Sequence, residues 1–290
     1  MIEHAADLII LEPSQTALPA ASLGEGPCWD AADATLYWID VPVGRVHALD
    51  AAGQHRSWDV GQPVGAVALR ASGGLVLAAA DGFHTLDTGT GAVAPLVGVD
   101  HGRPGVRMND GSCDRAGRFY AGSMAADESP GQGALYRLDP DHRLTRVMSG
   151  IGISNGIGWS PDDRQMYYVD SLDHSLDVLD YDAATGEVAD RRPVAGIGSG
   201  GSVPDGLTVD ADGGIWVAVW GGGAVLRYDP DGALTATVEL PAAYVTCPTF
   251  GGADLDTMYI TTAAGPGDGA GGLFAVRPGV AGLPTNPYRG

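Results

Sequence analysis

Short apolar and β-branched runs recur along the chain, and Asp, Gly and Pro punctuate them. Leu36–Asp40 leads through Gly44 into Val46–Asp50, and Leu75–Ala79 leads through Gly82 into Phe83–Asp87. Phe119–Ser123 leads through Gly133 into Ala134–Asp139, and Met166–Asp170 leads into Leu176–Asp180. Ile215–Val219 leads through Gly223 into Val225–Asp229, and Met258–Thr262 leads through Gly272 into Leu273–Val276. That makes six copies at a spacing of about 40–48 residues, the range of a propeller blade. Each copy is a strand, a short connection and a second strand ending near Asp, often followed by a turn such as Asp229-Pro-Asp-Gly232. Such runs closed by Asp-Gly or Pro-Asp turns mark β-hairpins. No stretch carries a helical period without a Gly or Pro breaking it within a few residues. The pattern predicts an all-β chain, a six-bladed β-propeller occupying residues 1–290 as one domain.

Composition narrows the class. The 45 glycines and 19 prolines in 290 residues suit a fold of many tight turns, given that 44% of the chain is hydrophobic and a sizeable core is available. The net charge of −20 repels phosphate backbones and anionic headgroups, so neither nucleic acid nor a membrane is an expected partner. The acid is spread along the chain, which makes it a solubility feature. Cys28, Cys113 and Cys247 are odd in number and far apart, which argues against a disulfide framework or a structural zinc site. The N-terminus has no basic region, and Leu8–Leu11 is too short for a signal or a span. A cytoplasmic protein is expected.

Several familiar strings carry no chemistry here. Gly152-Ile-Ser-Asn-Gly156 fits the nucleophile elbow, but a turn and a strand follow where a helix is required. Gly196–Gly201 fits a dinucleotide fingerprint without its helix. The Asp210 and Asp229 loops begin like calcium loops yet lack Glu at the twelfth position, which is Gly221 in one and Leu240 in the other. Four other segments break the blade rhythm, and each joins Gly to a carboxylate or amide. They are Leu23–Pro27, Arg107–Gly111, Ile153–Gly156 and Val203–Gly206, each preceding the first recognised strand of its repeat. Equivalent positions in different blades share one rim, so these segments converge on the axis. Glu25, Asn155 and Asp205 then offer two carboxylates and an amide carbonyl, a set suited to hard cations such as Ca²⁺, Mg²⁺ or Mn²⁺, and carboxylates also hold Zn²⁺. A partial ligand set leaves room for water and substrate. Taken alone, Asn155-Gly156 reads equally as a hairpin pair and Asp205 after Pro204 as a turn.

These segments resemble the senescence-marker-protein/gluconolactonase/regucalcin group of sugar lactonases, over essentially the whole chain from Gly24 to about Gly272. The matching strings, in order, are Leu23–Pro27, Arg107–Gly111, Gly117–Gly122, Gly133–Tyr136, Ile153–Gly156, Tyr168–Asp170, Pro204–Gly206 and Phe250–Gly252. The resemblance implies that Glu25, Asn155 and Asp205 ligate one divalent metal ion, Ca²⁺ first, with Mg²⁺, Mn²⁺, Zn²⁺ or Fe²⁺ as alternatives. It implies that Arg107 and Asn109 contact substrate, Asn109 near the metal, and that Asp127 or its neighbour Glu128 makes a further contact. Some members of the group carry Glu there, and the shorter Asp127 leaves that role open. Asp110 is assigned to supporting the loop, and Trp220 to pocket lining or to packing. The expected activity is metal-dependent hydrolysis of an aldonolactone to its aldonic acid, with Asp205 as the base that takes a proton from water. The alternatives are an esterase or organophosphate hydrolase using the same metal, or a non-catalytic propeller that binds calcium or protein. A small sugar lactone, pentono- or hexono-, is the expected partner, and the chain is expected to act as a monomer or weak homodimer.

Overall fold

The computed structural model describes residues 9–11 and 18–290, and it arranges them as six four-stranded antiparallel sheets. The innermost strands are Gly24–Asp30, Val64–Leu69, Val106–Cys113, Ser154–Trp159, Val203–Val209 and Val245–Gly251. Neighbouring inner strands pack on one another around the ring, so the expected six-bladed propeller is the observed fold. One placement differs from the sequence reading. The six aligned runs are the second and third strands of each blade. The four Gly-flanked segments do not precede the first strand; they begin it.

Burial explains why only the middle strands announce themselves. A second strand such as Thr35–Asp40, Leu75–Ala79 or Ile215–Trp220 is sandwiched between adjacent blades and buried on both faces, so it reads as a continuous apolar run. Outermost strands such as His55–Asp59 and Glu187–Gly196 face water and carry charged side chains. The Asp residues ending the third strands build turns. Asp50 Oδ1 accepts from the Ala52 and Gln54 amides at 2.9 and 2.8 Å, and Asp229 Oδ1 accepts from those of Asp231 and Ala233 at 3.1 and 2.8 Å. The ring is closed by Ile9–Leu11, which pairs antiparallel with Leu273–Val276 as the outer strand of the sixth blade. That pairing protects the last sheet edge. The only helical turn among the described residues is Ser171–Asp173, and no described helix is long and apolar enough to cross a membrane.

The last dozen residues form a strap across the face where the inner strands end. It is bonded to blades five and six through Ala211 N to Ala281 O at 2.9 Å and Gly282 N to Leu255 O at 2.8 Å. It then reaches blades two and three, where Tyr288 exchanges backbone bonds with Leu69 and Ala71 and Arg289 N donates to Gly117 O. Tyr288 is fully buried beside Phe83 and Phe119, and its hydroxyl donates to Asp139 O at 3.0 Å. Removing that hydroxyl as Tyr288→Phe is expected to cost about 1 kcal/mol, the net worth of one buried hydrogen bond. A urea-denaturation midpoint unchanged from the parent would show that the strap does not clamp the ring.

Candidate metal and substrate site

All six inner strands break register with their neighbour in their first half. The breaks fall between Glu25 and Cys28, Val64 and Ala66, Met108 and Gly111, Asn155 and Ile157, Pro204 and Leu207, and Val245 and Cys247. A bulge leaves residues unpaired and re-aims their side chains. Asn109, Asp110 and Asp205 lie within such bulges, and Glu25 and Asn155 immediately precede them. One end of the axial channel therefore collects the candidate side chains. Glu25, Asn155, Asp205 and Asp110 are all buried there, and Arg107 and Asn109 are half-buried.

A chain of hydrogen bonds fixes their orientation. Arg107 Nη1 donates to Asn109 Oδ1 at 2.9 Å, and Asn109 Nδ2 donates to Asn155 Oδ1 and to Ser154 O, both at 2.9 Å. Asn155 Nδ2 donates to Ser171 Oγ at 2.8 Å, and Ser171 Oγ donates to Pro204 O at 2.7 Å, beside Asp205. With its amide nitrogen held by Ser171, Asn155 turns its carbonyl oxygen toward Asn109 and the hub. The entries to two site-bearing strands are clamped by equivalent carboxylates. Asp40 accepts from the Ser22 and Leu23 amides at 2.9 and 3.1 Å, and Asp170 accepts from those of Gly152 and Ile153 at 2.8 and 2.9 Å. Ser171 and the two clamps escaped the sequence reading, because nothing in their local pattern separates them from ordinary strand ends.

The electrostatics of the hub are unbalanced. Burial raises the Glu25 carboxyl well above the usual carboxylate range, and Asp205 and Asp110 raise it further against the opposing pull of the Gly26 amide and Arg107. Asp205 is raised well above its ordinary value by burial and then by Asp110. Burial lifts Asp110 to about 6 although the Gly111 amide holds its Oδ1 at 2.7 Å. The Gly111 bond is the loop support expected of Asp110, and its buried carboxyl adds to the negative charge of the hub. Three carboxylates share this volume with one guanidinium, Arg107. Unpaired buried charge is costly, and groups so placed are paired or coordinate metals. Among the described residues no three Cys, His, Asp or Glu side chains are arranged as a metal site on their own. The oxygen donors at the hub are these carboxylates and the Asn155 amide oxygen. Hard oxygen donors and an excess of negative charge fit a divalent cation.

The structure separates Asp127 from Glu128. Both are exposed, but Asp127 turns away to Arg103, 3.8 Å distant, and caps the Ser129 amide at 3.1 Å. It is not brought to the site. Glu128 adopts a left-handed backbone with φ of 57° and lies near enough to Arg107 to raise the guanidinium's pKa against the lowering effect of burial. On the other side of the hub lies a cavity of about 550 Å³, reaching down to the C-terminal strap at Leu283 and Asn286. Asp110 is the one member of the hub that lines it; Glu25, Asn155, Asp205 and Arg107 do not, so this chamber is separate from the candidate ligands. The free thiols of Cys28, Cys113 and Cys247 all line it, an assembly that three distant cysteines in the sequence give no sign of.

With this geometry in hand, the chain was compared with known proteins. The family described as the SMP-30/Gluconolactonase/LRE-like region matches residues 23–264. Regucalcin of Bos taurus is 39% identical over 283 residues, covering 92% of this chain and 95% of that protein. A solved structure of a calcium-binding protein, regucalcin, from Agrobacterium tumefaciens superposes with a TM-score of 0.91 at 29% identity, covering 98% of each chain. The gluconolactonase XC5397 of Xanthomonas campestris shares the fold, with a TM-score of 0.74 at 24% identity over 94% of this chain and 96% of its own.

Proposed function

The chain belongs to the SMP-30/gluconolactonase/LRE-like family, and from that premise we propose that it is a divalent-metal-dependent lactonase that opens an aldonolactone to the aldonic acid. The observation that carries this reading is the hub, where buried Glu25 and Asp205 carboxylates and the oriented Asn155 oxygen meet with only one guanidinium among them. The family's description includes gluconolactonase, which supports the substrate class, and a relative's structure is described as that of a calcium-binding protein, which supports the ion.

Glu25, Asn155 and Asp205 would hold the cation, Ca²⁺ in the first instance. When bound there, a divalent ion supplies Lewis-acid polarisation of the ring carbonyl and stabilisation of the oxyanion. The remaining work falls to side chains. Arg107 and Asn109, joined by their own hydrogen bond, orient the ring oxygen and hydroxyls of the substrate, and Glu128 approaches from the rim. The Asp205 carboxylate, ionised once the site's charge is balanced, accepts the proton of the attacking water. The water oxygen bonds to the carbonyl carbon, the ring C–O bond breaks, and the leaving oxygen takes back the proton held by Asp205 to become the new hydroxyl. The experiment is a hydrolysis assay on aldonolactones, aryl esters and phosphotriesters after chelation and metal return. Selective, metal-restored turnover of the lactones is expected, and chelator-insensitive turnover or preference for another ester class would contradict the proposal.

The hub also sets a pH dependence. Unfolded carboxyls titrate near ~4, whereas in the metal-free fold Asp110 titrates at about 6 and Glu25 and Asp205 are raised well above their ordinary values. Their folded pKa values are raised, so they favour folding below ~4, and that contribution is lost as pH climbs through about 6. Calcium restores it by binding the ionised form. The gain in Tm from added Ca²⁺ over chelator is therefore expected to be larger at pH 8 than at pH 5. An equal gain at both values would mean that the ion does not meet these carboxylates.

A further inference from the structure

The end of each blade's second strand lies opposite the start of its inner strand, and three site-bearing blades use that position differently. In the first blade Asp40 pairs with Gly24, and in the fourth Asp170 pairs with Ser154. Both Asp side chains are buried and serve as the backbone clamps described above. In the fifth blade, which carries Asp205, the same position is Trp220, opposite Val203. Trp220 is half-buried, unlike the two clamps. It has traded a buried polar tether for a broad aromatic surface at the mouth, two residues from the strand position of Asp205.

The ring of Trp220 is held rigidly. It stacks on Tyr244 with centroids 4.3 Å apart and planes inclined by 13°, and a backbone bridge joins the two residues. Tyr244 immediately precedes the inner strand of the sixth blade, at the same rim as Glu25, Asn155 and Asp205. Gly265 packs closely on the Tyr244 ring, where a Cβ would fall 2.3 Å from Tyr244 Cδ2. Tyr244 is thus itself held in place beneath Trp220. The inner strands of blades two and six begin Val64-Gly65-Ala66 and Val245-Thr246-Cys247 and bring no charged group to the mouth. The polar groups of the mouth come from blades one, three, four and five. A flat, preorganised aromatic wall beside a polar cluster suits a ring with one C–H face and a polar edge, because the aromatic covers the former while hydrogen bonds take the latter.

We infer that Trp220, backed by Tyr244, is the wall against which the C–H face of a cyclic, polyhydroxylated substrate packs, and that it sets the enzyme's preference for such rings. This rests on the lactonase reading for its substrate and deepens it. Trp220 acts on binding, not on the reacting carbonyl, so its loss falls on KM.

The test compares wild type with Trp220→Ala, Trp220→Leu and Trp220→Phe in the calcium-loaded protein. Lactone kinetics are read beside calorimetric binding of a cyclic polyol ether, which has the ring face and no carbonyl. Trp220→Ala and Trp220→Leu are expected to raise KM and weaken ether binding about tenfold, roughly the energy of one stacked aromatic face. Their kcat should stay within about threefold and their calcium affinity should match wild type. Trp220→Phe should recover most of the loss. Unchanged KM and ether binding in Trp220→Leu would overturn the wall while leaving the lactonase intact. Loss of kcat or calcium affinity in Trp220→Leu would also overturn it, by showing a merely structural role. If wild type opens no lactone yet binds the ether in a Trp220-dependent way, the wall stands and the proposed reaction fails.

Discussion

Replacing Asp205 by Asn is expected to abolish metal-dependent lactone hydrolysis, by about 10³-fold or more in kcat/KM, while making the metal-free protein more resistant to heat. The two effects have one cause. Asp205 is buried among like charges, with Glu25 and Asp110 facing it, so its ionised form opposes folding when no cation is present. The amide has the same shape without the charge. Relieving that repulsion is expected to raise the Tm of the chelated variant by a few degrees, at roughly 2–4 °C per kcal/mol for a domain of this class. Glu25→Gln should behave alike. In catalysis the change removes both a cation ligand and the proton acceptor, and a loss of about 10³ corresponds to ~4 kcal/mol of transition-state stabilisation. Steady-state kinetics and thermal melts with and without Ca²⁺ check both halves. A variant that keeps turnover, or that melts lower than wild type in chelator, would contradict the proposed hub.

The second large effect is expected from a residue with no side chain. Gly65 lies in the bulge of the second blade's inner strand, pressed against the third. A Cβ there would sit 2.1 Å from Asn109 O and 2.5 Å from Met108 O. Both are backbone atoms of the loop that presents Arg107, Asn109 and Asp110, and they cannot rotate away as a flexible side chain could. Gly65→Ala must therefore push the two blades apart or distort that loop. The expected cost is about 3 kcal/mol, the upper part of the usual overpacking range, with a Tm lower by roughly 6–12 °C. Because the displaced atoms belong to Asn109, residual activity at low temperature should show a raised KM as well. A variant as stable and active as the parent would mean that the inner strands are not in this contact.

Legibility in the sequence followed burial. The middle strands of each blade are sandwiched on both sides, so Leu36–Asp40 and Ile215–Val219 stand out as apolar runs and the six-fold repeat could be counted. Outer strands such as Glu187–Gly196 meet water and carry no such mark. Inner strands are the opposite difficulty. Crowding around the axis favours Gly, and Gly24–Pro27 or Val203–Gly206 looks like a loop although it is strand with a bulge. The candidates Glu25, Asn155, Asp205, Arg107 and Asn109 nonetheless stand out in the sequence, because Gly beside a carboxylate or amide recurs at blade spacing. The charge that Asp110 shares with Glu25 and Asp205 is not legible in the sequence, since these neighbours in space come from blades one and five. The clamp pair of Asp40 and Asp170, the Ser171 brace, the thiol-lined chamber and the crossing strap depend on contacts between residues far apart in the chain. Asp127 and Glu128 are not separable in the sequence for a related reason, because their difference lies in tertiary neighbours, Arg103 for the one and Arg107 for the other.

The most direct test of the hub is anomalous diffraction from a crystal equilibrated with Ca²⁺ or Mn²⁺. The expected result is one strong peak on the propeller axis, with Glu25, Asp205 and the Asn155 amide oxygen within about 2.0–2.6 Å of the ion. A peak at some other place with these three side chains turned from one another, or no ordered ion at saturating metal, would contradict the account.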